Sequence, residues 1–190
     1  MAAVSDAGVT IITGPPGAGK TTVARDVAAA FTPSIVLASD ALWAWVVNGF
    51  VEPWELEARE QNRAIVRAVL AAAARLAEAG YATVLEGIVG PWFMELVHEE
   101  LDHLTVPVGY VVLRPSLEVC LARAHQRRSD PQHAGALAEE GPIRHMYAQF
   151  ASLGTYESHA LDTSALNAEE TTTKVLDGLR RREEFALGTL

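Results

Sequence analysis

A single cysteine, Cys120, stands among 190 residues, so an intrachain disulfide or a cysteine-built zinc site is excluded. It falls inside an apolar helical pattern, where a small buried hydrophobe is the plain reading and a nucleophile the sharper one. No run approaches the roughly 20 apolar residues that a helix needs to span a bilayer. The first residues, Met-Ala-Ala-Val-Ser-Asp, lack the basic-then-apolar build of a secretory leader. A cytoplasmic protein without membrane contact is expected. Positive charge is scarce as well: 15 Lys and Arg face 24 Asp and Glu, a net charge of −9. That balance speaks against nucleic acid as the main partner, because such binding runs on clustered cations. Internal repeats and low-complexity tracts are lacking, and the six histidines show no metal-ligand spacing.

What is present is a globular balance, 49% hydrophobic and 21% charged, over a length that suits one domain. Residues 1–190 are expected to form that domain, with a candidate lid near 127–144. Apolar runs alternate with helical patterns from end to end, which predicts an α/β fold with a parallel sheet. Strands are expected at Val9–Thr13, Ser34–Ala38, Tyr81–Leu85, Val106–Leu113 and Ser158–Leu161. Helices are expected at about Thr21–Phe31, Asp40–Val47, Pro53–Ala79, Trp92–Leu101, Leu117–Arg128, Ile143–Leu153 and from Asn167 onward. Gly80 suits a C-cap, and the Pro- and Gly-containing stretch Ser129–Pro142 reads as a mobile loop.

Gly14-Pro15-Pro16-Gly17-Ala18-Gly19-Lys20-Thr21 matches G-x-x-x-x-G-K-[ST] at every fixed position, after a strand and at the opening of a helix. Glycines there let successive backbone N–H groups point at phosphate oxygens, and the helix N-terminus adds partial positive charge. Lys20 is expected on the β- and γ-phosphates, Thr21 on magnesium and Thr22 beside them. A guanine-specific switch would need Asn-Lys-x-Asp, yet Asn48, Asn62 and Asn167 are followed by Gly, Arg and Ala. ATP with Mg2+ is the expected cofactor. The chain is also short for the helical lid domain and sensor elements of ring-forming ATPases.

The arrangement resembles small-molecule kinases built on the nucleoside monophosphate kinase plan: shikimate kinase, gluconate kinase and chloramphenicol phosphotransferase, with zeta-toxin-like kinases further away. Beyond the phosphate loop, Leu121-Ala122-Arg123 resembles the shikimate kinase segment whose arginine lies against adenine. Gln149-Phe150-Ala151-Ser152-Leu153 is similar to a gluconate kinase segment. Leu161-Asp162-Thr163-Ser164 resembles a strand end whose following loop touches adenine, and Asn167 is grouped with that nucleotide site. The resemblance implies a three-layer P-loop NTPase fold, five parallel strands in the order 2-3-1-4-5, and a small lid. It implies a base at Asp40, whose place at the end of the second strand faces the cleft of an open sheet. The plain alternative for Asp40 is an N-cap. It also implies a magnesium-holding or substrate-side carboxylate at Glu86, the alternative being a buried or ion-paired glutamate. Arg123 would lie on adenine, and Arg127 or Arg128 on phosphate, where a closing arginine neutralises the transferring group; solvated helix-end arginines are the alternative. Arg144 is a further lid candidate.

The acceptor should sit among the exits of the second and third strands and the intervening helices. All four tryptophans, Trp43, Trp45, Trp54 and Trp92, lie in that stretch, with Arg59, Arg63 and Arg67 spaced by four on one helix face. Trp43, Arg63 and Trp92 are the leading substrate-binding candidates; a core position for each indole and a solvated or Glu55-paired face for the arginines compete with that reading. The expected activity is transfer of the γ-phosphate to a hydroxyl of a small molecule such as an antibiotic or sugar acid. A nucleotide or polynucleotide 5′-end kinase and a nucleotide-driven regulatory ATPase are the alternatives. A mean hydropathy of +0.13 is compatible with a homodimer contact.

Overall fold

The structure is a computed structural model that describes residues 7–128, 139–181 and 185–187, without the side chains of 127 and 128. Five strands, β1 (Gly8–Thr13), β2 (Ser34–Ala38), β3 (Ala82–Glu86), β4 (Val108–Leu113) and β5 (Ala160–Leu161), lie parallel in the order 2-3-1-4-5, as the resemblance implied. Successive side chains of a strand point to opposite faces. Ile11, Leu85, Tyr110 and Val112 therefore belong to one apolar layer, and Ile12, Val84, Val111 and Leu113 to the other. Helices α3 (Arg59–Glu78) and α4 (Met94–Leu101) cover the first layer, and α1 (Lys20–Ala29) and α7 (Ala168–Arg181) the second. A sheet covered on both faces explains strands that read as almost unbroken apolar runs. A smaller apolar cluster joins α5 (Leu117–Arg128) to α6 (Glu140–Gln149) through Cys120, Ala124 and Ile143. The Cys120 thiol is fully buried there, in keeping with its plain reading.

Local sequence sets the element ends. Helix α3 buries Val66, Val69, Leu70, Ala73, Ala74 and Ala77, a helical stripe. It stops at Gly80, whose φ of 95° is the left-handed geometry of a C-terminal cap. Helix α7 opens with a reciprocal cap: the Glu170 N–H donates to Asn167 Oδ1 and the Asn167 N–H to Glu170 Oε2, both at 2.9 Å. Two expected helices are shorter than their patterns. The helix expected over Asp40–Val47 closes after one turn, α2 (Asp40–Trp43), because β-branched Val46 and Val47 lead into a turn at Gly49, φ 77°. The helix expected from Pro53 begins only at Arg59, after a 3-10 turn over Leu56–Ala58. Helix α6 starts at Glu140, so Pro142 sits in its first turn, where no N–H is needed. Most of the expected mobile loop and lid, residues 129–138, lies outside the described residues.

Strand β5 has only two residues, and the rest of the β4 edge is taken by the segment 185–187, which runs antiparallel to it. The Tyr110 N–H donates to the Phe185 carbonyl at 2.8 Å and the Leu187 N–H to that of Val108 at 3.0 Å.

Candidate active site

Residues 14–19 join β1 to α1, and their glycines answer two demands. Gly14, Gly17 and Gly19 have φ of 141°, 86° and 94°, conformations that side chains resist. Space is also short: a Cβ at Gly17 would come within 2.3 Å of the Cys120 carbonyl oxygen, and one at Gly14 within 2.1 Å of that of Leu113. The loop is thus pressed onto α5 and β4 and held in one shape. The buried Lys20 ammonium donates to the carbonyls of Gly14, at 3.0 Å, and Pro15, at 3.2 Å. Gly14 and Pro15 therefore support the lysine, whereas Pro16, Gly17, Ala18, Gly19, Lys20, Thr21 and Thr22 line a cavity of about 1640 Å³.

Three strand ends meet at the floor of that cavity. Ile12 and Ala38 both lie in register with Glu86. The Ser39 N–H donates to the Glu86 carbonyl at 2.8 Å, and the Val89 N–H to Thr13 Oγ1 at 2.9 Å. Only glycine fits at position 87, since a Cβ there would lie 1.7 Å from Ser39 Oγ. Glu86 is 4% exposed and accepts the Thr21 hydroxyl at 3.1 Å, so the two expected metal residues are neighbours. Burial pushes the Glu86 carboxyl above its ordinary range; Lys20 pulls it down, Asp40 pushes it up, and the Thr21 hydrogen bond and Arg25 pull it down further. A hydroxyl and a carboxylate beside a phosphate loop are hard oxygen donors of the kind that Mg2+ takes, together with phosphate and water. Among the described residues, no group of three or more His, Cys, Asp or Glu gathers for a metal, and Mg2+ in such a site needs none.

Asp40 is not the N-cap that the plain alternative proposed. Ser39 holds that position without a capping bond, and Asp40 is the first helical residue. Its carboxylate is exposed to the cavity and has no hydrogen-bond or ion-pair partner among the described residues. Arg123, on α5, reaches across the nucleotide end, its guanidinium donating to the Ala18 and Leu166 carbonyls at 3.4 Å each. Asn167 lines the same end, but its side-chain oxygen is engaged in capping α7. The Asp162 carboxylate accepts the Ser164 N–H and hydroxyl, and Ser164 Oγ accepts the Ser116 N–H, so that motif ties the β5 exit to α5. The backbone of Arg127 and Arg128 ends α5, and their side chains lie outside the described residues. Arg144 is exposed and paired with Glu140 on its own helix.

The expected acceptor end is aromatic. Trp43, Trp54 and Trp92 line it with Phe50, Ile88 and Phe93. The arginine stripe is divided: Arg59 and Arg63 reach the cavity, yet Arg63 faces Glu95 at 3.4 Å, and Arg67 pairs with Glu99 and Glu100 of α4. The expected Glu55–Arg59 pair does not form; Arg59 has no ion-pair partner among the described residues. Trp45 is 73% exposed and away from the cavity. Sequence reasoning missed Arg25, although it lies one helical turn beyond Thr21, and it missed Phe50 and Glu52, which fall where the expected helix gives way to loop.

A phosphate loop between the central strand and its helix, in a parallel sheet ordered 2-3-1-4-5, defines a P-loop NTPase. The chain belongs to the AAA domain family, whose model matches residues 9–153. No protein of curated function matches it. Its fold is shared with shikimate kinase from Acinetobacter baumannii, in complex with shikimate (20% identity, 93% of this chain and 94% of that one, TM-score 0.56). It is shared with a gluconokinase from Sinorhizobium meliloti 1021 (18%, 92% and 93%, TM-score 0.61). It is also shared with the Mycobacterium tuberculosis APS kinase CysC, in complex with AMPPNP and APS (21%, 91% and 98%, TM-score 0.64). At these identities the likeness is one of fold. No helix among the described residues is long and apolar enough to cross a membrane.

Proposed function

We propose that this protein transfers the γ-phosphate of ATP to a hydroxyl group of a small molecule. The observation that carries the proposal is the Asp40 carboxylate, which lines the cavity with the phosphate loop and the tryptophans and has no hydrogen-bond or ion-pair partner among the described residues. A protein that only bound or switched on a nucleotide would need no open carboxylate there, whereas a kinase needs a group to orient an attacking hydroxyl and accept its proton. The fold neighbours named for shikimate, gluconate and APS kinase activity support the same class of reaction.

Phosphoryl transfer is mainly positioning and charge neutralisation. The N–H groups of residues 17–21 would hold the phosphates, and Lys20 would exchange its carbonyl partners for phosphate oxygens. Thr21 and Glu86 would hold Mg2+, which supplies charge neutralisation on the phosphates when bound. Arg123 would lie beside the base, and Arg127 or Arg128, at the end of α5, would complete the positive surround. Asp40 would orient the acceptor hydroxyl and take its proton as that oxygen bonds to the γ-phosphorus and the bond from the γ-phosphorus to the β,γ-bridging oxygen breaks, with ADP leaving.

The test is a screen of hydroxyl compounds with ATP and Mg2+, read by mass spectrometry for the gain of one phosphoryl group, with Asp40→Ala alongside. A phosphorylated product that is lost in the variant is expected. ATP binding without transfer to any member of a broad panel would sink the proposal.

A further inference from the structure

The acceptor half of the cavity carries information that the phosphate loop does not. None of the four tryptophans is fully buried: Trp43 and Trp54 are half-buried, Trp43 with one side against the core, and Trp45 and Trp92 are exposed. Three of them line one wall or another of the same space, and each has a structural reason to stay there. The Trp43 indole N–H donates to Asn62 Oδ1 at 3.1 Å, which satisfies its polar edge and leaves an apolar face. Asn62 in turn donates to the Pro53 carbonyl at 2.7 Å, and Gln61 brackets Val51 through both its N–H, at 2.9 Å, and its carbonyl, at 2.6 Å. The loop that carries Trp54 is therefore pinned to α3 by two amide side chains. Opposite, the Trp92 ring lies over Gly90, where a Cβ would come within 2.2 Å of it, and meets Phe150 edge-on at a centroid distance of 5.3 Å. The aromatic walls are thus formed before any ligand arrives, as they are in most small-molecule sites.

Charge points the same way. Among the described residues, the ionisable side chains that the segments carrying Trp43 and Trp54 bring to the cavity are Asp40, Glu52 and Glu55 against Arg59 and Arg63, and Arg63 already faces Glu95. Neither Glu52 nor Glu55 has a hydrogen-bond or ion-pair partner for its side chain among the described residues. Among the described residues of these segments, a carboxylate or phosphate on the acceptor would meet more negative than positive charge and a single uncommitted guanidinium, that of the exposed Arg59. Anionic ligands are ordinarily clamped by paired donors, often a bidentate arginine. A neutral ring, by contrast, would cover apolar wall without leaving a charge unpaired.

We infer that the acceptor is an uncharged alcohol that bears an apolar ring, held by the Trp43, Trp54 and Trp92 walls with its hydroxyl at Asp40, and not a polyhydroxy carboxylate or a phosphorylated metabolite. The inference rests on the kinase reading for the role of the hydroxyl and on the cavity alone for the chemistry of the ring. It separates this chain from fold neighbours named for shikimate and gluconate, both carboxylates.

The test uses matched pairs that differ by one carboxylate, 4-nitrophenyl β-glucoside against 4-nitrophenyl β-glucuronide and phenylethane-1,2-diol against mandelate, with glucose and gluconate, which carry no apolar ring, as a third pair. Binding to the full chain with AMPPNP and Mg2+ is followed by saturation-transfer NMR. In the first two pairs the uncharged member is expected to bind about tenfold tighter than its anionic partner, and tighter than glucose. Trp92→Ala and Trp54→Ala, made separately so that a folding failure in one leaves the other, should each weaken it about tenfold, and Trp92→Phe should restore most of the loss. Equal or tighter binding of the anionic members, equal binding of glucose, or no binding of any ring-bearing member would overturn the inference. Phosphoryl transfer is read separately on the same compounds. Selective binding without transfer would count against the kinase reading alone, and transfer to gluconate would uphold that reading and overturn this inference.

Discussion

The two ends of the cavity are built by different means. At the nucleotide end, three glycines with positive φ, a lysine bonded to its own loop and a half-buried Thr21–Glu86 contact leave little room for substitution. At the acceptor end, one helical turn, a loop pinned by Gln61 and Asn62, and partly exposed aromatic rings make the wall. The first is fixed by what a backbone must do to surround phosphate, and the second by which side chains happen to face inward. On the proposed function, chemistry common to many proteins would be kept in the strand ends, and selectivity given to segments that can change without disturbing the sheet.

The largest effect should appear at the junction of the two ends. Asp40→Asn is expected to lower kcat by about 10²–10⁴ while nucleotide affinity stays near that of the parent chain. Steady-state kinetics together with nucleotide titration would check it, and a parallel loss of ATP binding would erase the division between the ends. Gly87→Ala should come next. Its methyl group would overlap Ser39 Oγ in a close-packed floor, which predicts a loss of about 1–3 kcal/mol in denaturant unfolding.

Glu86→Gln addresses the floor by pH. Because burial raises the Glu86 carboxyl above its ordinary value of 4.5, the folded protein holds that proton more firmly than the unfolded chain. The stability it contributes is fully present below about pH 4.5 and is lost as pH rises through the raised value. The ligand-free Gln variant should therefore melt higher than the parent near neutrality, and the two melting curves should converge on acidification; a gap that stays constant with pH would remove the burial argument. The smallest effect belongs to Trp45→Ser. With Trp45 73% exposed and outside the cavity, stability and kcat/KM should change little, within about 0.5 kcal/mol in unfolding. A large loss would mean that the acceptor wall extends beyond the residues that line it here.

The division between the ends also explains what could be read from the residues alone. The strand positions, the phosphate loop and the start of α7 near Asn167 were legible because glycines and apolar periodicity are local signals, whereas the strand order came from the family resemblance. The stretch from Ala44 to Ala58 was not, since its helical spacing carries on past the point where Val46, Val47 and Gly49 end α2. Tryptophan has the same pattern in a core as on a cavity wall, so the place of Trp43 and Trp92 needed the fold. Arg63 and Arg67 share a helix face, but their partners Glu95, Glu99 and Glu100 come from another helix, beyond the reach of i, i+4 reasoning. Asp40 was found by its place at a strand end, whereas the absence of a partner for its carboxylate could be known only once its neighbours were in position.

The short antiparallel segment 185–187 bears on how the chain is made. Strand β4 is synthesised well before the residues that hydrogen-bond to its outer side at Val108 and Tyr110. Until they leave the ribosome, that side presents free N–H and C=O groups, an open template for pairing with another nascent chain. Sheet assembly during translation therefore has an interval of vulnerability whose length is set by the rate at which everything downstream of β4 is produced.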